Sequence, residues 1–368
     1  MKLTPITNQV GGHEGVLSLG DENEIIVKPA LPMEFRFYEE SVLHPELQAW
    51  MPTYYGSLTL TRQQPKQQQI GADGQMGGEA AEPTIKALNG YAITDMLSFD
   101  LAGQVQAQEQ LLDGVELDKD ENDDECLCLE NIAHGFTKPC VLDLKLGTQL
   151  YDDDASDDKK MRLGAVAANT TSGSLGMRVV GFHVYDSEKG DFIKYSKVYG
   201  KALTQDTVLD GFRAYFSAKI GPKRMRLVVE RFVNDLTDFL ETIKTQEARL
   251  RSSSLLMLYE GDSEAFDDAL LLEQDAITSV VARARVLSER NDSAKSNGEE
   301  EDEEDEEDEY NEEDDDELAQ KVTDMRLIDF AHSTWTPGQG PDEGVVLGVK
   351  SALMLFERLL EEDYSSEE

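Results

Sequence analysis

The sequence is short of the residues that build disulfide or zinc scaffolds, and short of positive charge. Cys126, Cys128 and Cys140 are the only three cysteines in 368 residues. They are odd in number and lack paired CxxC spacing. A disulfide framework or zinc site is therefore not expected, and small buried hydrophobes in a reducing compartment fit best. No apolar run approaches the length of a membrane span, and the N-terminus lacks a charged-then-apolar leader; neither a spanning helix nor a secretory signal is expected. Lysine and arginine number 34 against 75 acidic residues, a formal charge of −41. Such a body is a poor candidate for direct nucleic-acid binding. Neither GxGxxG nor GxxxxGKS occurs in the glycine-bearing stretch Thr170–Phe182, so it is not read as a nucleotide loop.

Much of the acidity is local. Glu299–Glu317 holds 17 carboxylates in 19 residues. From about Asn291 to Lys321 like-charge repulsion and chain entropy outweigh any apolar burial, so a disordered insert is expected. A second insertion is expected over about 61–124, where Gln- and Gly-rich pieces (Arg62–Gly78) and the acidic Asp113–Glu125 flank a short strand within Ala87–Leu101. Elsewhere the chain alternates strands and helices. Glu24–Pro29 reads as a strand and Pro32–Glu40 as a helix with proline in its first turn. Cys126–Ile132 and Phe192–Gly200 read as strands. Lys223–Leu250 reads as a helix whose buried stripe is Val229, Phe232, Leu236, Phe239 or Leu240, and Ile243; Val345, Val349, Leu353, Phe356 and Leu360 mark another at the C-terminus.

The chemistry centres on Pro139-Cys140-Val141-Leu142-Asp143-Leu144-Lys145-Leu146-Gly147. As a strand, its period of two puts Asp143 and Lys145 on one face and Leu142, Leu144 and Leu146 on the other. As residues alone, the pair is equally a local ion pair at the edge of a core strand. Downstream stand Ser252-Ser253-Ser254-Leu255-Leu256 and Ile328-Asp329-Phe330-Ala331-His332.

PxxxDxKxG, SSSLL and IDFAH, in that order, resemble the signature of the inositol polyphosphate kinase family. The acidic insert before IDFAH and the string SSSLLMLYEGD most resemble its fungal multikinase branch. The resemblance implies a two-lobed, protein-kinase-like α+β fold. Residues 1–132 would form a mostly β N-lobe with the 61–124 insertion. Residues 133–368 would form a larger mixed α/β C-lobe, with an inositol-phosphate-binding segment at about 153–170 and the acidic insert at about 291–321. The implied cofactors are ATP and Mg2+. Lys28 and Glu34 would form the strand-lysine and helix-glutamate pair that positions phosphates, and Glu130–Ile132 the hinge whose backbone holds the adenine edge. Asp143 would orient or deprotonate the attacking hydroxyl and contact ribose, and Lys145 would neutralise the phosphoryl group in flight. Asp329 would hold the metal with help from Ser254. Lys145, Lys159, Lys160, Arg162, Lys201 and His332 would grip substrate phosphates.

The implied reaction is phosphorylation of inositol 1,4,5-trisphosphate to tetrakis- and pentakisphosphate at the 6- and 3-hydroxyls, with phosphoinositides as further substrates. A nuclear role with regulators of arginine metabolism follows by the same resemblance, the acidic insert meeting basic nuclear proteins. Two other classes compete. A kinase of protein hydroxyls is opposed by the absence of HRDxxxxN and of a GxGxxGxV loop. The other is a non-enzymatic acidic nuclear scaffold, which intact motifs oppose.

Overall fold

Two antiparallel sheets meet where the chain crosses from residue 130 to residue 139. A computed structural model describes residues 3–6, 15–20, 23–61, 84–89, 123–296 and 320–363. The first sheet has the order β1-β2-β3-β6-β4-β5. Its strands are β1 (Leu3–Pro5), β2 (Leu17–Leu19), β3 (Ile25–Pro29), β4 (Tyr54–Thr61), β5 (Thr84–Asn89) and β6 (Asp123–Glu130). Helices α1 (Pro32–Glu40) and α2 (Pro45–Gln48) sit between β3 and β4. Cys126 and Cys128 are buried among Val27, Leu58 and Leu60 as small core residues. Burial pushes the Cys128 thiol up to about 12, which keeps it unreactive.

The second sheet runs β12-β11-β7-β8-β9, with a separate β10-β13 pair beside it. These are β7 (Pro139–Leu146), β8 (Met177–Asp186), β9 (Asp191–Tyr195), β10 (Ala248–Arg251), β11 (Ser254–Glu260), β12 (Thr323–Ile328) and β13 (His332–Trp335). Helices α3 (Asp157–Ala168), α4 (Thr171–Leu175), α5 (Lys197–Ala202), α6 (Val208–Tyr215), α7 (Pro222–Ile243), α8 (Ser263–Ser296) and α9 (Glu343–Asp363) complete it. The stripes expected on α7 and α9 are buried at Val229, Phe232, Leu236, Phe239, Ile243, Val345, Val349 and Phe356. They share one core with Cys140, Leu142, Leu144 and Leu146 of β7.

Three expected elements are corrected. The strand foreseen over Phe192–Gly200 ends at Tyr195, and Lys197–Ala202 is helical. Gly200 explains the change: a Cβ there would lie 2.1 Å from the Val179 carbonyl oxygen, so only glycine lets α5 pack onto β8. Gly200→Ala should therefore destabilise by more than about 2 kcal/mol in denaturant unfolding. The helix foreseen over Lys223–Leu250 stops at Ile243, and Ala248–Arg251 pairs with β13 instead. Asn291–Ser296, expected within the disordered insert, is the end of α8. The rest of that insert up to residue 319, and residues 62–83 and 90–122 of the other, lie outside the described residues.

The two sheets are tied at several points. The Leu327 amide donates to the Trp50 carbonyl at 2.6 Å, Arg326 Nη1 to the Ala49 carbonyl at 2.8 Å, and Trp50 Nε1 to Thr242 Oγ1 at 3.3 Å.

Candidate active site

Strand β7 lies between β11 and β8, so its outer-face residues sit mid-sheet. Its start is fixed by Glu260, whose carboxylate accepts the amides of Thr137 and Lys138 at 2.6 and 2.9 Å. Its end turns at Gly147, where φ is +91° and the amide donates to the Gly176 carbonyl at 2.7 Å; the motif's last glycine is there because an L side chain rarely adopts that backbone. With Cys140, Leu142, Leu144 and Leu146 in the core, Val141, Asp143 and Lys145 point the other way. The register against β8 shifts between Asp143 and Leu144. Such a bulge re-aims side chains beside a site.

Asp143 is buried, its Oδ1 completes no hydrogen bond, and the Ser254 hydroxyl lies beside the carboxylate. Burial pushes the Asp143 carboxyl up to about 6, against the pull of Lys145. The ion pair admitted by the sequence does not form; Lys145 Nζ donates to the Ser252 carbonyl at 2.5 Å. Burial lowers the Lys145 pKa, while Asp143 and Asp329 raise it. The three serines divide the work. Ser252, at φ 62°, and Ser253 bond to the carbonyls of Leu150 and Leu250. Ser254 pairs across from Lys145 and faces the site.

Lys28 on β3 reaches Glu34 of α1 at 2.9 Å and Asp329 at 2.7 Å. Burial lowers the Lys28 pKa, but Asp329 and Glu34 outweigh it and hold it above the usual lysine value; this lysine stays charged. Glu34 also accepts the Phe330 amide at 3.2 Å, and the Phe330 ring stacks on Phe37 with centroids 4.6 Å apart. Thus α1, β3 and the IDF turn are locked through one carboxylate. Asp329 itself has φ 68°, a conformation that costs about 1–3 kcal/mol and collects at functional sites.

At the junction, the Glu130 amide donates to the Thr53 carbonyl at 2.9 Å, and the Asn131 amide to the Glu24 carbonyl at 2.7 Å. The Ile132 amide makes no hydrogen bond to another described residue. Below it, Ile132, Val141 and Leu258 form a small apolar cluster flanked by Leu256 and Ile328. This bed lies on the same sheet face as Asp143 and Lys145.

The segment expected to grip substrate phosphates begins at Ser156, whose hydroxyl caps α3 through the Lys159 amide, with Asp157 and Asp158 suited to the helix's positive end. Asp152 Oδ2 joins Lys159 Nζ at 3.2 Å and His332 Nδ1 at 2.8 Å. The structure thus brings Lys159 and His332 to one carboxylate. Lys160, Arg162 and Lys201 make no ion pair with that cluster; Arg162 and Lys201 are exposed, on α3 and α5.

The family model for inositol polyphosphate kinase matches residues 126–357, well over half of the chain. The chain belongs to the inositol polyphosphate kinase family. It is 32% identical over 95% of its length to the inositol polyphosphate multikinase of Saccharomyces cerevisiae, covering 97% of that protein. The multikinase of Schizosaccharomyces pombe is 27% identical over 99% of this chain and 100% of its own. The fold resembles the solved structure of the S. cerevisiae inositol phosphate multikinase in complex with ADP and Mn2+, with a TM-score of 0.56 and 27% identity over 92% of this chain and 99% of that one.

Sequence reasoning on this inositol polyphosphate kinase missed a floor, and met Arg178 and Lys197 only within a run of cations, from Lys138 to Lys201, expected to focus a positive field in a cleft. Arg178 is paired across from Lys145 on β8 and buried, with Nε and Nη1 lacking partners. A buried guanidinium with unmet donors is suited to an anion. Lys197, at the start of α5, is close enough to Lys145 to lower its pKa. The apolar floor of Val141, Leu256 and Leu258 was legible: the period of two that aligns Asp143 with Lys145 also aligns Val141 with them. The pairing of Arg178 with Lys145 had no local signal, because it is a matter of register between distant strands.

Proposed function

We propose that this kinase transfers the γ-phosphoryl group of ATP to inositol 1,4,5-trisphosphate, at the 6- and 3-hydroxyls, giving tetrakis- and pentakisphosphate. The observation that carries this reading is the convergence of Lys28, Asp143, Lys145 and Asp329, from three separate segments, over an apolar bed and beside the buried Arg178. The bed of Ile132, Val141 and Leu258 suits a purine face, with the unmatched Ile132 amide at its edge. Lys28, kept charged, meets phosphate oxygens. Asp143, at about 6, is ionised at neutral pH yet basic enough to accept the substrate hydroxyl proton. As that oxygen bonds to the γ-phosphorus, the bond to the β-phosphate oxygen breaks and ADP leaves. Lys145 faces the charge spread over the transferring oxygens. Arg178, Lys197 and Lys159 supply the cationic side that an inositol polyphosphate requires, with His332 as a further phosphate contact.

The donor set fits a hard divalent cation. Among the described residues no group of three His, Cys, Asp or Glu side chains could hold a metal by itself. Mg2+ needs only one or two carboxylates beside phosphate oxygens and water, and Asp329, with the Ser254 hydroxyl beside Asp143, would supply that. When bound, the ion neutralises phosphate charge.

The same cleft suits phosphoinositide headgroups, whose phosphates present the same chemistry. We also place the protein in the nucleus, where the 17 carboxylates of Glu299–Glu317 would meet basic partners such as regulators of arginine metabolism. Replacing that run by a few Gly and Ser residues should leave turnover intact and abolish capture of basic nuclear proteins in pull-downs. A large fall in turnover with partners still bound would contradict this division.

The reaction is tested by incubating purified protein with γ-labelled ATP, Mg2+ and inositol 1,4,5-trisphosphate and resolving products by chromatography. Labelled tetrakis- then pentakisphosphate is expected. Label on neither, with nucleotide bound, overturns the reading.

A further inference from the structure

Lys321 is the second described residue after the acidic run, and it touches three things at once. Its amide donates to the Gly135 carbonyl at 3.0 Å. Its ammonium lies 2.9 Å from Asp324 Oδ2 on β12 and 3.4 Å from Glu130 Oε1 at the end of β6. The other oxygen of Glu130 accepts the Thr53 amide and hydroxyl at 3.2 and 3.1 Å. Burial raises the Glu130 pKa, but Thr53, Lys321 and Arg326 outweigh it and hold it below the usual glutamate value. Asp324 Oδ1 lies 3.0 Å from Arg326 Nε, and Arg326 reaches back to the Ala49 carbonyl. A cavity of about 220 Å³ lined by Tyr38, Met51, Thr53, Tyr54 and Arg326 adjoins this network. This side of the junction is therefore held by polar contacts rather than by solid packing.

We propose that Lys321 is a positioning residue for nucleotide selection: by clamping Glu130 against β12 and the 133–135 turn, it fixes the Glu130–Ile132 backbone that reads the purine edge. It touches neither nucleotide nor the transferred group and acts only through Glu130. The inference rests on the proposed hinge, so its test separates the two. A loosened backbone loses its aim at the 6-substituent of the base while the apolar bed, Lys28 and Asp143 stay in place. Discrimination, not chemistry, is what Lys321 supplies.

The experiment compares kcat and KM for ATP and ITP, which differ at the purine 6-position, in wild-type, Lys321→Met, Lys321→Arg, Glu130→Gln and the Lys321→Met/Glu130→Gln double variant, with melting temperatures. Wild type should prefer ATP through KM. Lys321→Met should cut that preference about fivefold, the scale of a partly buried ion pair. Its kcat, inositol-phosphate KM and melting temperature should barely change. Lys321→Arg should restore the preference, and the double variant should be no worse than Glu130→Gln. If wild type does not distinguish ATP from ITP, the hinge reading itself fails. If it does and Lys321→Met keeps the full preference, the hinge stands and the positioning role is overturned. A fall in melting temperature with all kinetic constants altered alike also overturns it, as a merely structural role.

Discussion

Asp143→Asn should lower kcat by about 10²–10⁴, the range expected on removing a general base, while the protein becomes more stable at neutral pH. The second half follows from the raised carboxyl. The folded chain holds the Asp143 proton up to about pH 6, against a reference of 3.8. Between those values the unfolded chain has released its proton and the folded chain has not. Wild-type stability therefore falls as pH rises through that window and levels off above it. Asparagine does not titrate, so its advantage over aspartate should grow by about 3 kcal/mol between pH 4 and pH 7, two pKa units at about 1.4 kcal/mol each. Denaturant unfolding at the two pH values reads this directly. Wild-type kcat should decline below about pH 6 as the base is protonated. A variant that is inactive and less stable at both pH values would mark Asp143 as a folding residue.

Asp329→Asn should separate metal-dependent from metal-free nucleotide binding. Its carboxylate is 2.7 Å from Lys28 and sits on a left-handed residue. Asparagine tolerates that backbone, so the fold should persist. Loss of the carboxylate should weaken Mg·ATP binding by at least tenfold, more than 1.4 kcal/mol. ATP without metal should bind as well or better, because one negative charge near its phosphates is gone. Calorimetric titrations with Mg2+ and with chelator make the comparison. Equal losses in both would assign Asp329 to Lys28 alone.

Both residues were readable from sequence because their signals are local. A strand's period of two is enough to put Asp143 beside Lys145, and a carboxylate ending an apolar run is visible at Asp329. Lys28 and Glu34 were separately legible as strand lysine and helix glutamate; that Lys28 also reaches Asp329, 301 residues away, was not. The same limit hid the approach of Arg178 and Lys197 to Lys145 and the Asp152 link between Lys159 and His332, all of which depend on how distant strands and helices align. One helix boundary failed for a different reason. The apolar stripe ends at Ile243, with Gln246 and Glu247 at the next helical positions, and the chain leaves the helix there to pair Ala248–Arg251 with β13; the expected helix end is too late. Gly200 carried the sign of the α5 turn only once Val179 was known to lie against it.

The measurement that bears most directly on the site is label transfer from ATP to inositol 1,4,5-trisphosphate by wild-type and Lys145→Met protein side by side, with Mg·ATP affinity measured on both. Lys145 lies at the middle of the cluster, between Asp143, Asp329 and Arg178, and among the described residues its ammonium is held to the fold by a hydrogen bond to one carbonyl. Wild type should transfer label. Lys145→Met should remain folded, bind Mg·ATP within a few-fold of wild type, and transfer at least about 10²-fold more slowly. Transfer at the wild-type rate by Lys145→Met would place the chemistry elsewhere in the molecule.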